Sequence, residues 1–171
     1  MKSPIITCIT LAVIGFTCCS TDLDNTRGAT QEASVMDVPT DMVSKGLAQV
    51  TEVTVSGTAN NYTFSVTIES PDTGCAQYAD WWEVITSKGD LIYRRVLGHS
   101  HVEEQPFTRS GGSISISANE EVYIRAHMNT SGYGTSVLQG SVANGFVAAN
   151  VDADFANELA QQQPLPTSCA F

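Results

Sequence analysis

Residues 61 to 69, Asn61-Tyr62-Thr63-Phe64-Ser65-Val66-Thr67-Ile68-Glu69, carry the clearest structural pattern in the chain. Apolar side chains at every second position alternate with polar ones. Because successive side chains of a β-strand point to opposite faces, this alternation predicts a strand with one face in a core and the other towards solvent.

Six more strand-like segments flank this one, separated by turn-forming residues such as Asn60-Asn61 and Ser110-Gly111-Gly112. They begin near residue 47 and continue at 80–86, 91–102, 113–117, 122–128 and 135–148. Strands at regular spacing without intervening helices predict an all-β fold, an antiparallel two-sheet sandwich of about seven strands. A short C-terminal helix is expected at 152–163, with Phe155 and Leu159 on one side.

The first nineteen residues are typical of a signal peptide. Lys2 precedes a twelve-residue apolar run, 5–16, which is too short to span a bilayer. The following Gly15-Phe16-Thr17-Cys18-Cys19-Ser20 resembles the loose lipobox of Bacteroidetes lipoproteins, although it departs from the strict Leu-Ala-Gly-Cys form. The resemblance implies lipidation of Cys19, with Cys18 as the alternative. It also implies an exported outer-membrane lipoprotein on the periplasmic or cell-surface side.

The leader gives way to a polar segment, 20–46, without hydrophobic periodicity. This composition predicts a flexible tether between the lipid anchor and the domain at 47–171.

Beyond the leader only Cys75 and Cys169 remain, and in an exported domain such a pair indicates a disulfide. Closing a loop of roughly 95 residues would stabilise the fold by about 4.6 kcal/mol in the chain-entropy model. Two free thiols or two metal ligands are the alternative.

The strand spacing over 47–148, with Trp82 on the third strand, is similar to that of immunoglobulin and fibronectin type III domains. The resemblance implies that Trp82 fills the space between the sheets. Both cysteines lie outside the positions of the usual immunoglobulin pair. The segment from Asp72 through Arg125-Ala126-His127 also resembles uncharacterised secreted bacterial domains, which implies no activity.

The chain is strongly acidic, with a formal net charge of -10. Without Lys2, the chain has 7 basic and 18 acidic residues, which gives a net charge of -11. This balance argues against nucleic acid and against anionic lipid headgroups as direct partners. Cations, neutral sugars and basic proteins remain compatible with it.

All three histidines lie within a short stretch, as His99, His101 and His127. A His-x-His pair on a strand would place both rings on one face, and a third imidazole nearby would complete a site for copper or zinc. The alternative is that the histidines are hydrogen-bonded surface residues.

Aromatic residues supply a second candidate site. Tyr78, Trp81 and Tyr133 would form a ligand-binding platform if Trp82 points inward and Trp81 outward. Packing in the core or at its rim is the alternative.

Four arginines, Arg94, Arg95, Arg109 and Arg125, share the same half of the chain with Glu83, Glu103 and Glu104. They are expected to form an ion-paired sheet surface or, alternatively, a carboxylate-binding site.

Two functions follow from these patterns. The first is an exported, lipid-anchored module that binds a glycan or protein at the cell surface without catalysis. The second is a copper- or zinc-binding surface protein. The sequence contains no Gly-x-Ser-x-Gly elbow, no His-Glu-x-x-His and no phosphate-binding loop, so catalysis is not expected.

Overall fold

The computed structural model describes residues 46–170, which form β-strands and one short 3-10 helix. The elements are β1 Gln49–Thr58, β2 Asn61–Glu69, β3 Ala79–Thr86, β4 Leu91–Val96, β5 Phe107–Ile114, β6 Val122–Met128, β7 Gly132–Tyr133, β8 Ser136–Ser141, β9 Gly145–Asn150 and the 3-10 helix Asn157–Gln161. The predicted leader, the lipidated cysteine and all of the tether except Gly46 lie outside the described residues. No helix within 46–170 is long and apolar enough to cross a bilayer.

The strands form two antiparallel sheets, as predicted. One sheet has three strands in the order β1-β2-β5, and the other has six in the order β4-β3-β6-β8-β9, with β7 paired to β6. Nine strands are present in place of the expected seven, because the segment 135–148 is a hairpin of two strands and residues 132–133 pair separately with β6.

The alternating segment at residues 61–69 forms β2, the middle strand of the smaller sheet. Tyr62, Phe64, Val66 and Ile68 are buried, and their polar neighbours face outward. β6 shows the same alternation in the larger sheet, with Val122, Ile124, Ala126 and Met128 in the core. The two inner faces bury one continuous hydrophobic core, which supplies the main driving force for folding.

β3 differs from β2 because both of its faces are buried. Trp82 and Val84 point into the core between the sheets, as expected for Trp82. The opposite side of the larger sheet is its outer face, and Trp81 lies there together with Glu83 and Ile85. The C-terminal segment covers this face, and Ile85 packs with Ala156 and Leu159 in a second hydrophobic cluster.

Two predicted elements end earlier than expected. β4 stops at Val96 in place of residue 102, and the chain then forms a loop in which His99 makes an isolated parallel bridge with Ala170. The predicted helix at 152–163 is reduced to the 3-10 helix, because Ala156 adopts a left-handed conformation with φ 51° that interrupts a helix. The strand expected at 113–117 lies earlier, at 107–114.

Candidate functional site

The outer face of the larger sheet holds a buried ionic cluster centred on Glu83 on β3. Its neighbours across the two adjacent strands are Arg94 on β4 and Arg125 on β6. Arg94 donates to Oε2 of Glu83 from Nε at 2.9 Å and from Nη2 at 2.6 Å, and Nε of Arg125 donates to Oε1 at 2.9 Å. All three side chains are at most 1% exposed. These residues were expected at an ion-paired surface, but they are internal.

The C-terminal strap, residues 155–164, supplies the remaining acceptors for the two guanidinium groups. Arg94 donates to the main-chain carbonyls of Leu159, Gln162 and Pro164 at 2.7, 2.5 and 3.3 Å. Arg125 donates to those of Phe155 and Ala156 at 2.7 and 2.8 Å. The Tyr133 hydroxyl also accepts from Nη2 of Arg94 at 3.2 Å. One carboxylate, five carbonyls and one hydroxyl therefore satisfy two buried cations, as a buried charge requires.

The predicted aromatic platform is not exposed. Tyr78 and Trp81 are 4% and 3% exposed, and the Trp81 ring is covered by the His127 ring at 3.7 Å and the Arg94 guanidinium at 4.4 Å. Tyr133 is half-buried, with the Arg125 guanidinium 3.5 Å from its ring centroid. Burial and the nearby Glu83 carboxylate raise the pKa of Tyr133 to about 12. The expected exposure of Tyr78 and Trp81 is therefore not found, and their binding role stays a prediction.

His127 lies at the edge of the same face and is held from three sides. Its Nδ1 is 2.7 Å from Oδ1 of Asp80, its ring stacks on Trp81 at 3.7 Å, and Tyr133 meets it edge-on at 4.6 Å. A carboxylate at Nδ1 fixes the ring orientation, as in many functional histidines. Because the ring is 8% exposed and wedged between two aromatics, we assign this pair to the structure of the sheet.

His101 lies in the loop between β4 and β5. Its ring stacks on Phe107 at 3.7 Å and is 2% exposed. Neither ring nitrogen has a hydrogen-bond partner, and the nearest carboxylate oxygen, Oδ2 of Asp72, is 3.9 Å from Nδ1. Burial, followed by the charges of Arg109 and His99, lowers the pKa of His101 to about 4.

The three histidines are not brought together, and this corrects the predicted copper or zinc site. The rings of His99 and His101 are 4.4 Å apart in the loop that follows β4. His127 lies on β6, and β3 lies between β4 and β6 in the sheet. Within residues 46–170, no group of three or more histidine, cysteine or acidic side chains is placed to hold a metal ion. The predicted site required His127 to reach the other two histidines across the sheet, and the strand order places β3 between β4 and β6.

A cleft of about 520 Å³ opens beside His101. Residues 99–104 form most of its lining, and Thr73 and Ala170 complete it. Val102 is 40% exposed there, which is unusual because Val147 is the only other large apolar side chain so exposed among the described residues. The volume falls in the range of small-molecule sites.

The disulfide between Cys75 and Cys169 lies next to this cleft, because Ala170, which lines the cleft, follows Cys169 in the chain. The two sulfur atoms are 2.05 Å apart, and the main-chain N–H of the adjacent Ala170 donates to the carbonyl of Gly98 at 2.7 Å. The bond therefore fixes the chain terminus against the loop that carries the histidines. The sequence indicated the pair but not its position at a cleft.

Asp72 is a residue that sequence reasoning missed. Its carboxylate is buried and accepts from the side chains of Ser70 and Ser100 and from the main-chain N–H groups of Ala79 and His101. These contacts hold the loop around His101 in place. An aspartate beside Pro71 is read from sequence as a turn residue, so no pattern distinguishes this role.

Comparison with known proteins gives one informative match. A protein of Halomicrobium mukohataei named "Putative lipoprotein" is 37% identical over 103 residues, which are 60% of this chain and 51% of that protein. The chain thus spans about half the length of that relative. No protein-family model and no solved structure matches the chain.

Proposed function

We propose that the chain is an exported lipoprotein whose β-sandwich binds a ligand at the cell surface through the cleft formed by residues 99–104, Thr73 and Ala170. The proposed role is non-catalytic binding. The observation that carries it is the cleft itself, which has the size of a ligand site and contains a buried imidazole without partners.

Support for lipid anchoring comes from two sources. The leader has a short apolar run that is followed by Cys18-Cys19, and the relative from Halomicrobium mukohataei is named "Putative lipoprotein". Placement in an outer membrane of Bacteroidetes type belongs to the same proposal and rests on the leader alone.

We further propose that the sandwich belongs to the immunoglobulin and fibronectin type III group of folds. Trp82 on the third strand is fully buried between the sheets, which is the place that these domains give to a core tryptophan.

The cleft is favoured over the outer face of the larger sheet as the place for a ligand. On the outer face, Glu83 and both arginines already have their full set of partners within the chain. At the cleft, the imidazole lacks partners and Val102 is exposed. Unsatisfied buried polar groups and exposed apolar side chains both indicate binding surfaces.

Photo-crosslinking tests the binding function directly. Benzoyl-phenylalanine placed at Val102 in living cells should form an adduct with the ligand, because its ketone inserts into C–H bonds of glycans and proteins alike. The same probe at Val147, which is 68% exposed on β9, is the matched control. Equal adducts at both positions, or none at position 102, would contradict the proposal.

Membrane fractionation tests the anchor. The double substitution Cys18→Ser and Cys19→Ser should move the protein from the membrane to the soluble fraction, because no acyl chain could be attached. Cys8→Ser changes a cysteine within the apolar run of the leader and should leave the fractionation unchanged. Continued membrane association of the double variant would contradict lipidation at this pair.

A further inference from the structure

Unsatisfied polar atoms single out His101 as the group that a ligand would contact. Among residues 46–170, four buried side-chain nitrogens lack a hydrogen-bond partner: the indole nitrogens of Trp81 and Trp82, and both ring nitrogens of His101. His101 lines the cleft described above, whereas neither tryptophan does. Leaving a buried polar group unpaired costs free energy, so a ligand that pairs with it recovers that cost.

The imidazole of His101 is neutral at neutral pH, because burial holds its pKa near 4. A neutral imidazole has one N–H donor and one nitrogen acceptor on the same ring. The complementary chemical group is one that both accepts and donates, and a hydroxyl does so with a single oxygen atom.

The charges around the cleft are already compensated within the chain. Asp72 accepts four hydrogen bonds from protein groups, and Glu104 forms an ion pair of 2.7 Å with Arg109. Within the part of the chain that the structure describes, Glu103 alone at the cleft is a carboxylate without an ion pair or hydrogen bond. A strongly anionic ligand would meet this carboxylate, and a polycation would find only one free charge.

We propose that the cleft binds an uncharged, hydroxyl-rich ligand of the saccharide class, with His101 pairing with a ligand hydroxyl. This inference rests on the proposed ligand-binding function and specifies the chemistry of its ligand. Val102 and the exposed ring of His99, 4.4 Å from that of His101, provide apolar surface for the C–H faces of a sugar ring.

A printed array of neutral, sulfated and sialylated oligosaccharides, with spermine as a cationic probe, tests the inference. The full-length protein should be applied in a zwitterionic detergent, because sugar-based detergents would compete for the cleft. We expect binding to neutral oligosaccharides only. Binding confined to charged glycans or spermine, or an array without neutral binders, would overturn the saccharide inference.

The variant His101→Phe tests the named contact. Phenylalanine can keep the stack on Phe107 but has no ring nitrogen, so affinity for the neutral oligosaccharide should fall about tenfold, the effect of one lost hydrogen bond. His127→Gln, outside the cleft, should bind as the wild type does. Unchanged affinity in His101→Phe would overturn the role of His101.

A measurement on the wild-type protein makes the test independent of how the variant folds. On saturation with the neutral oligosaccharide, the imidazole nitrogen resonances of His101 should shift while those of His127 stay in place. No shift at His101 would overturn the inference. The photo-crosslink at position 102 separates the two hypotheses, since an adduct without glycan binding would reject the saccharide and keep the binding function.

Discussion

His101 and His127 are both buried in aromatic stacks, but they differ in the carboxylate contact at Nδ1. Both rings are buried, and each stacks on an aromatic ring at 3.7 Å, with interplanar angles of 7° and 9°. A carboxylate oxygen is 2.7 Å from Nδ1 of His127 but 3.9 Å from Nδ1 of His101. The first distance is a hydrogen bond and the second is not.

This difference follows from where each ring sits. His127 lies on β6 next to Asp80 on β3, so the register of two paired strands positions both groups. His101 lies in a loop whose only close carboxylate, Asp72, uses its oxygens to bind the main chain and two serines. The charged groups on the outer face of the sheet are therefore satisfied within the fold, whereas the loop leaves the imidazole of His101 without partners.

The largest expected effect on stability concerns the ionic cluster around Glu83, whose charged groups are all paired within the chain. Glu83→Ala would leave Arg94 and Arg125 as buried cations without their carboxylate, which should lower the free energy of unfolding by about 3–5 kcal/mol. Urea unfolding of the purified protein measures this. Glu103→Ala, at an exposed carboxylate, should change stability by less than about 0.5 kcal/mol. Similar losses in both variants would remove the distinction between the regions.

His127→Phe should have the next largest effect. The ring could still stack on Trp81, but the buried carboxylate of Asp80 would lose its partner, which should cost about 1–3 kcal/mol. Thermal and urea unfolding report the loss. A stability equal to that of the wild type would mean that the contact between Asp80 and His127 contributes nothing.

The pH dependence of stability tests the burial of His101, because the pKa of its ring differs between the folded and unfolded states. In the unfolded chain this ring titrates near pH 6.5, whereas in the folded protein its pKa is about 4. Between these values the unfolded state binds the additional proton, so the free energy of unfolding falls as pH decreases. The contribution between pH 7 and pH 5 is about 2 kcal/mol. His101→Phe should lack this part of the pH dependence, and an identical pH profile in the two proteins would contradict the assignment.

The smallest effect is expected for His101→Phe at neutral pH. The substitution removes two nitrogens that make no hydrogen bond and retains a ring of similar size, so stability should change by less than about 1 kcal/mol in either direction. His101→Phe and His127→Phe make the same substitution in two similar aromatic stacks. A loss of stability in His101→Phe as large as that in His127→Phe would contradict the absence of a hydrogen-bond partner for His101.

The sheets were predictable because alternation of polarity is a local signal. β2 and β6 lie where it is strict, and the inward position of Trp82 follows from it. The outward position of Trp81 followed too, but its burial did not. That burial depends on the Arg94 guanidinium and the His127 ring, which the neighbouring strands β4 and β6 bring to Trp81 and which no local pattern encodes.

The candidate site was predictable only in part, for a related reason. The pair of His99 and His101 was recognised as unusual, and their rings do lie close together. Grouping them with His127 failed because strand order is a property of the whole sheet. The cleft depends on the disulfide that brings Ala170 to the loop, and sequence gives the cysteines but not their surroundings.

The strap has a consequence for how freely its sequence can vary. Arg94 and Arg125 hydrogen-bond to it only through main-chain carbonyls, which every amino acid provides, and Phe155 adds a ring 5.9 Å from the Arg125 guanidinium. Ala156 and Leu159 pack their side chains inward, but the side chains at 157, 158 and 161–163 are exposed. Evolution can therefore rewrite those five positions with little penalty while the two arginines stay fixed. An engineer could graft an epitope there without redesigning the sandwich beneath it.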